Sequence, residues 1–157
     1  MYRTIKIRMK LLEEQKTQLL MYEERCELQT LAIIKQFYSS HSEINFKNVK
    51  FENHIHKRNR WYLYQQALKR YRIILRNGKY THTISSTWAP SSFAILHNNL
   101  YLNFGSSFII KNIECKLVIE DKQEQELLEN KIIHIDIVHD EKFWYANFVI
   151  KKDETRE

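Results

Sequence analysis

Lys57-Arg58-Asn59-Arg60-Trp61-Tyr62-Leu63-Tyr64-Gln65-Gln66-Ala67-Leu68-Lys69-Arg70-Tyr71-Arg72-Ile73-Ile74-Leu75-Arg76 is the stretch around which the rest of the chain is organised. At 100° per residue Trp61, Tyr64, Leu68, Tyr71 and Leu75 share one face, widened by Ala67 and Ile74, which predicts a helix from about Arg60 to Arg76. Gln65, Lys69, Arg72 and Arg76 follow one another at spacings of four, three and four on a neighbouring polar stripe. Asn77-Gly78 supplies a stop. No Asp or Glu occurs between Glu52 and Glu114, whereas Lys57, Arg58, Arg60, Lys69, Arg70, Arg72, Arg76, Lys79 and Lys111 all fall inside. These nine cations exceed the net charge of +6, so the remainder of the chain is net acidic by about three.

Aromatic residues are interleaved with the cations: Trp61, Tyr62, Tyr64, Tyr71, Tyr80 and Trp88. That combination suits a polyanion with flat bases, because phosphates meet the charges and bases stack on rings. The plainer reading is a solvated basic face. The nucleic-acid reading assigns contacts to Lys57, Arg58, Arg60, Gln65, Lys69, Arg72 and Arg76, with Lys6 and Arg8 in support. Trp61, on the apolar helix face, is expected in the core. Trp88, in a Ser/Thr/Pro-containing segment, is the better stacking candidate.

Before this stretch, residues 2–9 alternate, with Ile5, Ile7 and Met9 on one side and Thr4, Lys6 and Arg8 on the other, as in a strand. From Leu11 to about Tyr38 the period becomes helical. Leu12, Leu19, Cys26 and Ile33 recur every seven residues with Tyr22 and Phe37 on the same stripe, and Glu13, Glu14, Glu23, Glu24 and Glu27 occupy other faces. An acidic helix of this kind is expected to be packing material for a helical subdomain rather than to face phosphate. Ser39 to Ser42 ends it, Ser42 is a candidate cap, and residues 43–56 fit neither period cleanly.

After Gly78 short β-type runs follow: Thr81–Ser86, Phe93–Leu96, Leu100–Phe104, Phe108–Ile113, Lys116–Glu120, Lys131–His139 and Phe143–Ile150. The turn at His97-Asn98-Asn99 makes a hairpin of the second and third, and Asp121–Asn130 reads as a charged connector. Strands at this spacing indicate a small barrel or a strongly curled sheet, which the N-terminal strand joins.

With 157 residues, 43% of them apolar, the chain suffices for one compact core. Two glycines exclude a Gly-rich phosphate loop, and Cys26 and Cys115 make neither a zinc pair nor a disulfide framework. The N-terminus lacks an apolar leader segment and no long charge-free apolar run occurs, so a cytoplasmic protein without membrane association is expected. His54 and His56 have the His-hydrophobic-His spacing that holds metal in tyrosine-dependent single-strand transposases of about this length, but no carboxylate follows them until Glu114 and the late Tyr145 falls in a strand pattern. His134, Asp136, His139 and Asp140 form a second cluster, for which a mixed-charge sheet surface is the plainer account.

The order of elements, and the local wording, resembles the N-terminal portion of the TnpB (OrfB) family of insertion-sequence RNA-guided nucleases, relatives of the type V CRISPR effectors. The resemblance rests on Ile5-Lys6-Ile7-Arg8 with Leu12, Gln15 and Leu19, on Gln65-Gln66-Ala67-Leu68, and most distinctively on Ser85 to Phe93 with Leu100 to Gly105, continuing to Ile133 and Trp144-Tyr145-Ala146. It covers nearly the whole chain. It implies an α+β protein: an oligonucleotide-binding-type β-barrel (the wedge domain, 1–10 and 79–157) with a helical recognition domain (11–78) inserted after its first strand. Such a half holds a structured guide RNA and helps read a short motif on duplex DNA.

The resemblance ends where the RuvC-like nuclease is expected, and the acidic triad and zinc-binding cysteines of that region are not among these residues. A non-catalytic nucleic-acid-binding protein without cofactor or metal is therefore expected, as a fragment, a derived binding protein or one subunit of a split effector. Its rivals are the metal-dependent transposase using His54, His56 and a tyrosine, a module that docks a separate nuclease chain, and a transposon remnant without function.

Overall fold

The computed structural model describes residues 1–51, 57–80, 85–105 and 111–152. Strand β1 (Tyr2–Lys10) leads into helices α1 (Glu13–Ser40) and α2 (Arg60–Asn77). Strands β2 (Ser85–Trp88), β3 (Phe93–Leu96), β4 (Asn99–Asn103) and β5 (Asn112–Val118) follow, then helix α3 (Asp121–Glu129) and strands β6 (Lys131–His139) and β7 (Trp144–Lys151). The architecture is α+β, with α1 and α2 inserted after the first strand as the sequence predicts.

The seven strands form one antiparallel sheet in the order β2-β6-β7-β1-β5-β4-β3. β1 lies inside it, paired with β7 from Tyr2 opposite Lys151 to Met9 opposite Trp144, and with β5 through Arg8, Met9 and Lys10. The expected joining of the N-terminal strand to the later ones is thus met.

Connectivity requires this sheet to curl. β2 and β3 stand at its two edges, six strand spacings apart, which is about 29 Å in a flat sheet. Only Ala89 to Ser92 separate them in sequence, and the chain from Trp88 to Phe93 reaches at most about 18 Å. Rolling the sheet resolves the conflict and brings the ring of Trp88, on β2, to 5.6 Å from that of Phe104, just beyond β4. Among the described residues no ladder joins β2 to β3, so the result is a half-barrel.

Its inner face carries Ile5, Ile7, Met9, Leu100, Leu102, Ile135, Ile137, Ala146, Phe148 and Ile150, all buried. The first half of α1 packs there, with the Tyr22 ring stacked on Trp88 at 4.5 Å and 5.4 Å from Phe104. Its second half extends past the sheet and packs on α2, where Phe37 meets Tyr64 and Tyr71 edge-on. Of the predicted heptad stripe, Leu19, Cys26 and Ile33 are buried, whereas Leu12 is exposed because it precedes the helix. The helix ends at His41, whose φ of 58° turns the chain, with the Ser42 N–H bonded to the Phe37 carbonyl. Ser42 caps nothing further, since Asn45 precedes the short 3-10 turn Phe46–Asn48.

Two expectations in the later half are corrected. Asp121–Asn130 is not a connector: it contains α3, whose N-terminus is closed by the Gln123 side chain accepting from the Glu120 N–H at 3.1 Å. Its apolar stripe is too narrow to read against so many charges, since Leu127 alone is buried. No break separates Ile113 from Lys116 as expected: β5 runs through both and pairs with β1 and β4, while Phe108 to Ile110 of the expected earlier strand lie outside the described residues. Residues 106–110 and 81–84 lie outside the described residues.

Candidate functional site

α2 contains no carboxylate, and its last turns place Lys69, Arg72 and Arg76 at the surface together with Gln65. It ends where expected, with Gly78 at φ 73° donating its N–H to the Ile74 carbonyl at 2.7 Å. Only glycine takes that left-handed backbone without strain. Lys57 and Arg58 are exposed on the turn before the helix. The first turn holds no acid and Asn59 makes no side-chain cap, so the positive end of the helix dipole faces further positive charge.

The cationic field is smaller than the sequence suggests. Arg72 is clamped by Glu43 through two hydrogen bonds of 2.6 and 2.8 Å, and the hydrogen bonds from Arg72 hold the Glu43 carboxyl below its usual range. Arg70 is 6% exposed and lies 3.2 Å from Glu27 on α1, with the Tyr80 hydroxyl bonded to both. Burial, then the bond to Glu27, pushes the Tyr80 phenol up to about 12. Arg60 is half-buried with its guanidinium over the Phe51 ring at 5.4 Å. Of the residues assigned to nucleic acid on and before α2, Lys57, Arg58, Gln65, Lys69 and Arg76 are exposed at the surface.

The two tryptophans exchange their expected roles. Trp88 is 0% exposed, its indole N–H donates to the Ser86 hydroxyl at 2.9 Å, and it fills the half-barrel against Tyr22 and Phe104. It is a core residue and is not available for base stacking. Trp61 is 48% exposed, in edge contact with Phe46 at 5.2 Å. The periodicity placed it on the apolar face correctly; α1 covers that face only from Leu63 onward, and Leu75 at the far end is likewise exposed.

Asn59, which the sequence reading passed over, is the joint of the structure. Its amide nitrogen donates to the Tyr22 hydroxyl at 2.8 Å, and its oxygen accepts from the Ala89 N–H at 2.8 Å and the Ser92 hydroxyl at 2.9 Å. It therefore fixes the start of α2 to α1 and to the crossing between the sheet edges. Its partners lie 37, 30 and 33 positions away, so no local pattern signals it.

On the outer face of the sheet Lys6 lies over the Tyr145 ring at 4.1 Å and Arg8 over the Phe143 ring at 4.1 Å. Lys10 stands directly opposite Lys116 across the β1–β5 ladder. The alternation of β1 anticipated the exposed cations, but their partners depend on register.

His54 and His56 lie outside the described residues. Among the described residues no group of three His, Cys, Asp or Glu side chains converges as metal ligands would. His134 Nε2 is 3.4 Å from Asp136, which also accepts from the Thr87 hydroxyl. Burial works to raise the Asp136 carboxyl, but these two hydrogen bonds outweigh it and hold the group below its ordinary range. His139 faces the other way, bonded to Glu23 of α1 at 2.9 Å and stacked on Trp144 at 4.1 Å. The four residues that cluster in sequence are thus split between the two faces of β6 and its turn. No described helix is long and apolar enough to cross a membrane.

The chain matches no protein-family model and no curated protein. Its class is therefore set by its own geometry: an α+β protein built on a curled antiparallel half-barrel with a helical insertion.

Proposed function

We propose that the protein is a non-catalytic nucleic-acid-binding protein of the cytoplasm, resembling the wedge and recognition part of TnpB, with an oligonucleotide-binding-type barrel as its sheet domain. The observation that carries this reading is the acid-free α2, whose exposed Lys69 and Arg76 continue a basic surface begun by Lys57 and Arg58. A row of that kind fits the regularly spaced phosphates of a structured RNA, which is recognised by shape and backbone. Contact with duplex DNA belongs to the same reading, whereas docking of a separate nuclease chain without bound nucleic acid is its rival.

The test is to purify the protein from its host and sequence the nucleic acid that co-purifies. One enriched structured RNA supports the reading and identifies the ligand; protein free of nucleic acid overturns it in favour of a protein-docking module. The transposase alternative is tested separately, by assaying cleavage of hairpin-bearing single-stranded DNA with manganese or magnesium and with His54→Ala as control.

A further inference from the structure

We infer that the outer face of the half-barrel, along β1 and its neighbours β5 and β7, is a second nucleic-acid surface, specific for an unpaired strand. The inference deepens the nucleic-acid reading above and rests on it. Lys6, Arg8 and Lys10 alternate along β1 with inward Ile7 and Met9, so their side chains leave the same face about 6.7 Å apart. That repeat is comparable to the distance between successive phosphates in an extended single strand. Lys116 extends the row onto β5. Its pairing opposite Lys10 sets two like charges side by side, an arrangement that is destabilising in a sheet unless an anion sits between them.

Among the described residues none of these four cations is held in an ion pair, whereas Arg70 and Arg72 are. Of the neighbouring acids, Asp140 accepts from the Lys142 and Phe143 N–H groups while also feeling the Lys6 charge, and Glu114 accepts from the Tyr101 hydroxyl. Tyr145 and Phe143 flank the row beneath Lys6 and Arg8. A cation that swings from its ring to a phosphate leaves a flat apolar surface for a base, and only unpaired bases offer a free face. In the sheet order β1 is three strands from β2, and the row is carried by β1 and β5 rather than by the basic helix.

The probe is a fluorescein-labelled oligothymidylate of fifteen nucleotides, followed by anisotropy as a function of salt, with a labelled RNA hairpin in parallel. The combined variant Arg8→Ala, Lys10→Ala and Lys116→Ala should reduce the log–log salt slope for the oligothymidylate by about two, at about 0.7 per single-strand phosphate contact. Tyr145→Leu should weaken it about tenfold, the scale of one stacked base. Lys69→Ala with Arg76→Ala should leave it unchanged while weakening the hairpin. Circular dichroism melting confirms that each variant is folded. An unchanged slope in the triple variant overturns the inference. So does a protein that ignores the oligothymidylate but sediments with phosphatidylglycerol vesicles. Hairpin binding without oligothymidylate binding removes this surface and leaves the proposed function standing; binding of neither removes both.

Discussion

Asn59 and Tyr22 are 37 positions apart in sequence and joined by a buried hydrogen bond of 2.8 Å, the amide donating to the phenolic oxygen. The same side chain accepts from Ala89 and Ser92, so three segments meet at one amide. Asn59→Ala removes the acceptor from a buried N–H and hydroxyl. It should cost about 2–4 kcal/mol, read as a lower urea midpoint with an unchanged slope. Asn59→Asp keeps the acceptor and should also be destabilising, since it places a charge in the same buried joint. A loss under about 0.5 kcal/mol for Asn59→Ala would show the joint to be unimportant.

Arg72 is engaged by Glu43, and Lys69 is not. Arg72→Ala should therefore weaken RNA-hairpin binding less than Lys69→Ala or Arg76→Ala. Glu43→Ala, which frees the guanidinium, should strengthen it severalfold at low salt. In the triple variant Lys69→Ala, Arg72→Ala and Arg76→Ala the salt slope should fall by nearer two contacts than three, at about 0.9 per contact on a duplex. Equal effects of the three single substitutions would show that RNA displaces Glu43.

Arg70 lies within the basic stretch yet serves the fold. Arg70→Met leaves the half-buried Glu27 without its guanidinium and should destabilise by about 3 kcal/mol, while Glu27→Gln with Arg70→Met recovers much of the loss. Neither should alter RNA affinity at a temperature where the protein is folded. A loss of affinity with unchanged stability would return Arg70 to the binding surface.

Alkaline pH should unfold the protein. Burial pushes the Cys26 and Cys115 thiols up to about 12, from an ordinary value of 9.0. Tyr80 is likewise pushed up to about 12 from 10.0. Between these limits the unfolded chain releases protons that the folded chain retains, so stability is fully present below about pH 9 and falls as pH rises toward 12. Thermal melts at pH 7, 9 and 10.5 should show a progressive drop at the last two. Both thiols should resist Ellman's reagent at pH 8 until guanidinium is added.

Trp61 should dominate quenching by iodide or acrylamide, because Trp88 and Trp144 are both buried. Trp61→Phe should remove most of the quenchable fluorescence with little change in stability. Trp88→Ala should cost about 3–5 kcal/mol, as expected for a filled core position.

Much of this architecture was legible in local pattern. The alternation of residues 2–9, the helical stripes leading to Phe37 and Tyr71, the Gly78 stop and the hairpin at His97 each follow from side-chain periodicity and turn chemistry, which act over a few residues. α3 escaped because one buried leucine gives no periodicity. The candidate surface was legible only in part: exposed Lys6, Arg8, Lys69 and Arg76 follow from face and period, but their neighbours do not.

By itself the sequence determined the first strand, the two long helices and most of the later strands, the acid-free basic helix and the α+β order of one strand, two helices and then a sheet. The tertiary structure alone decided that Trp88 is core and Trp61 exposed, that Glu27 and Glu43 withdraw Arg70 and Arg72, and that Lys10 meets Lys116. The reason is that these relationships depend on register and on the curl imposed by the short link from Trp88 to Phe93. A propensity reads its near neighbours along the chain, whereas burial and charge pairing are set by residues that the fold brings from tens of positions away.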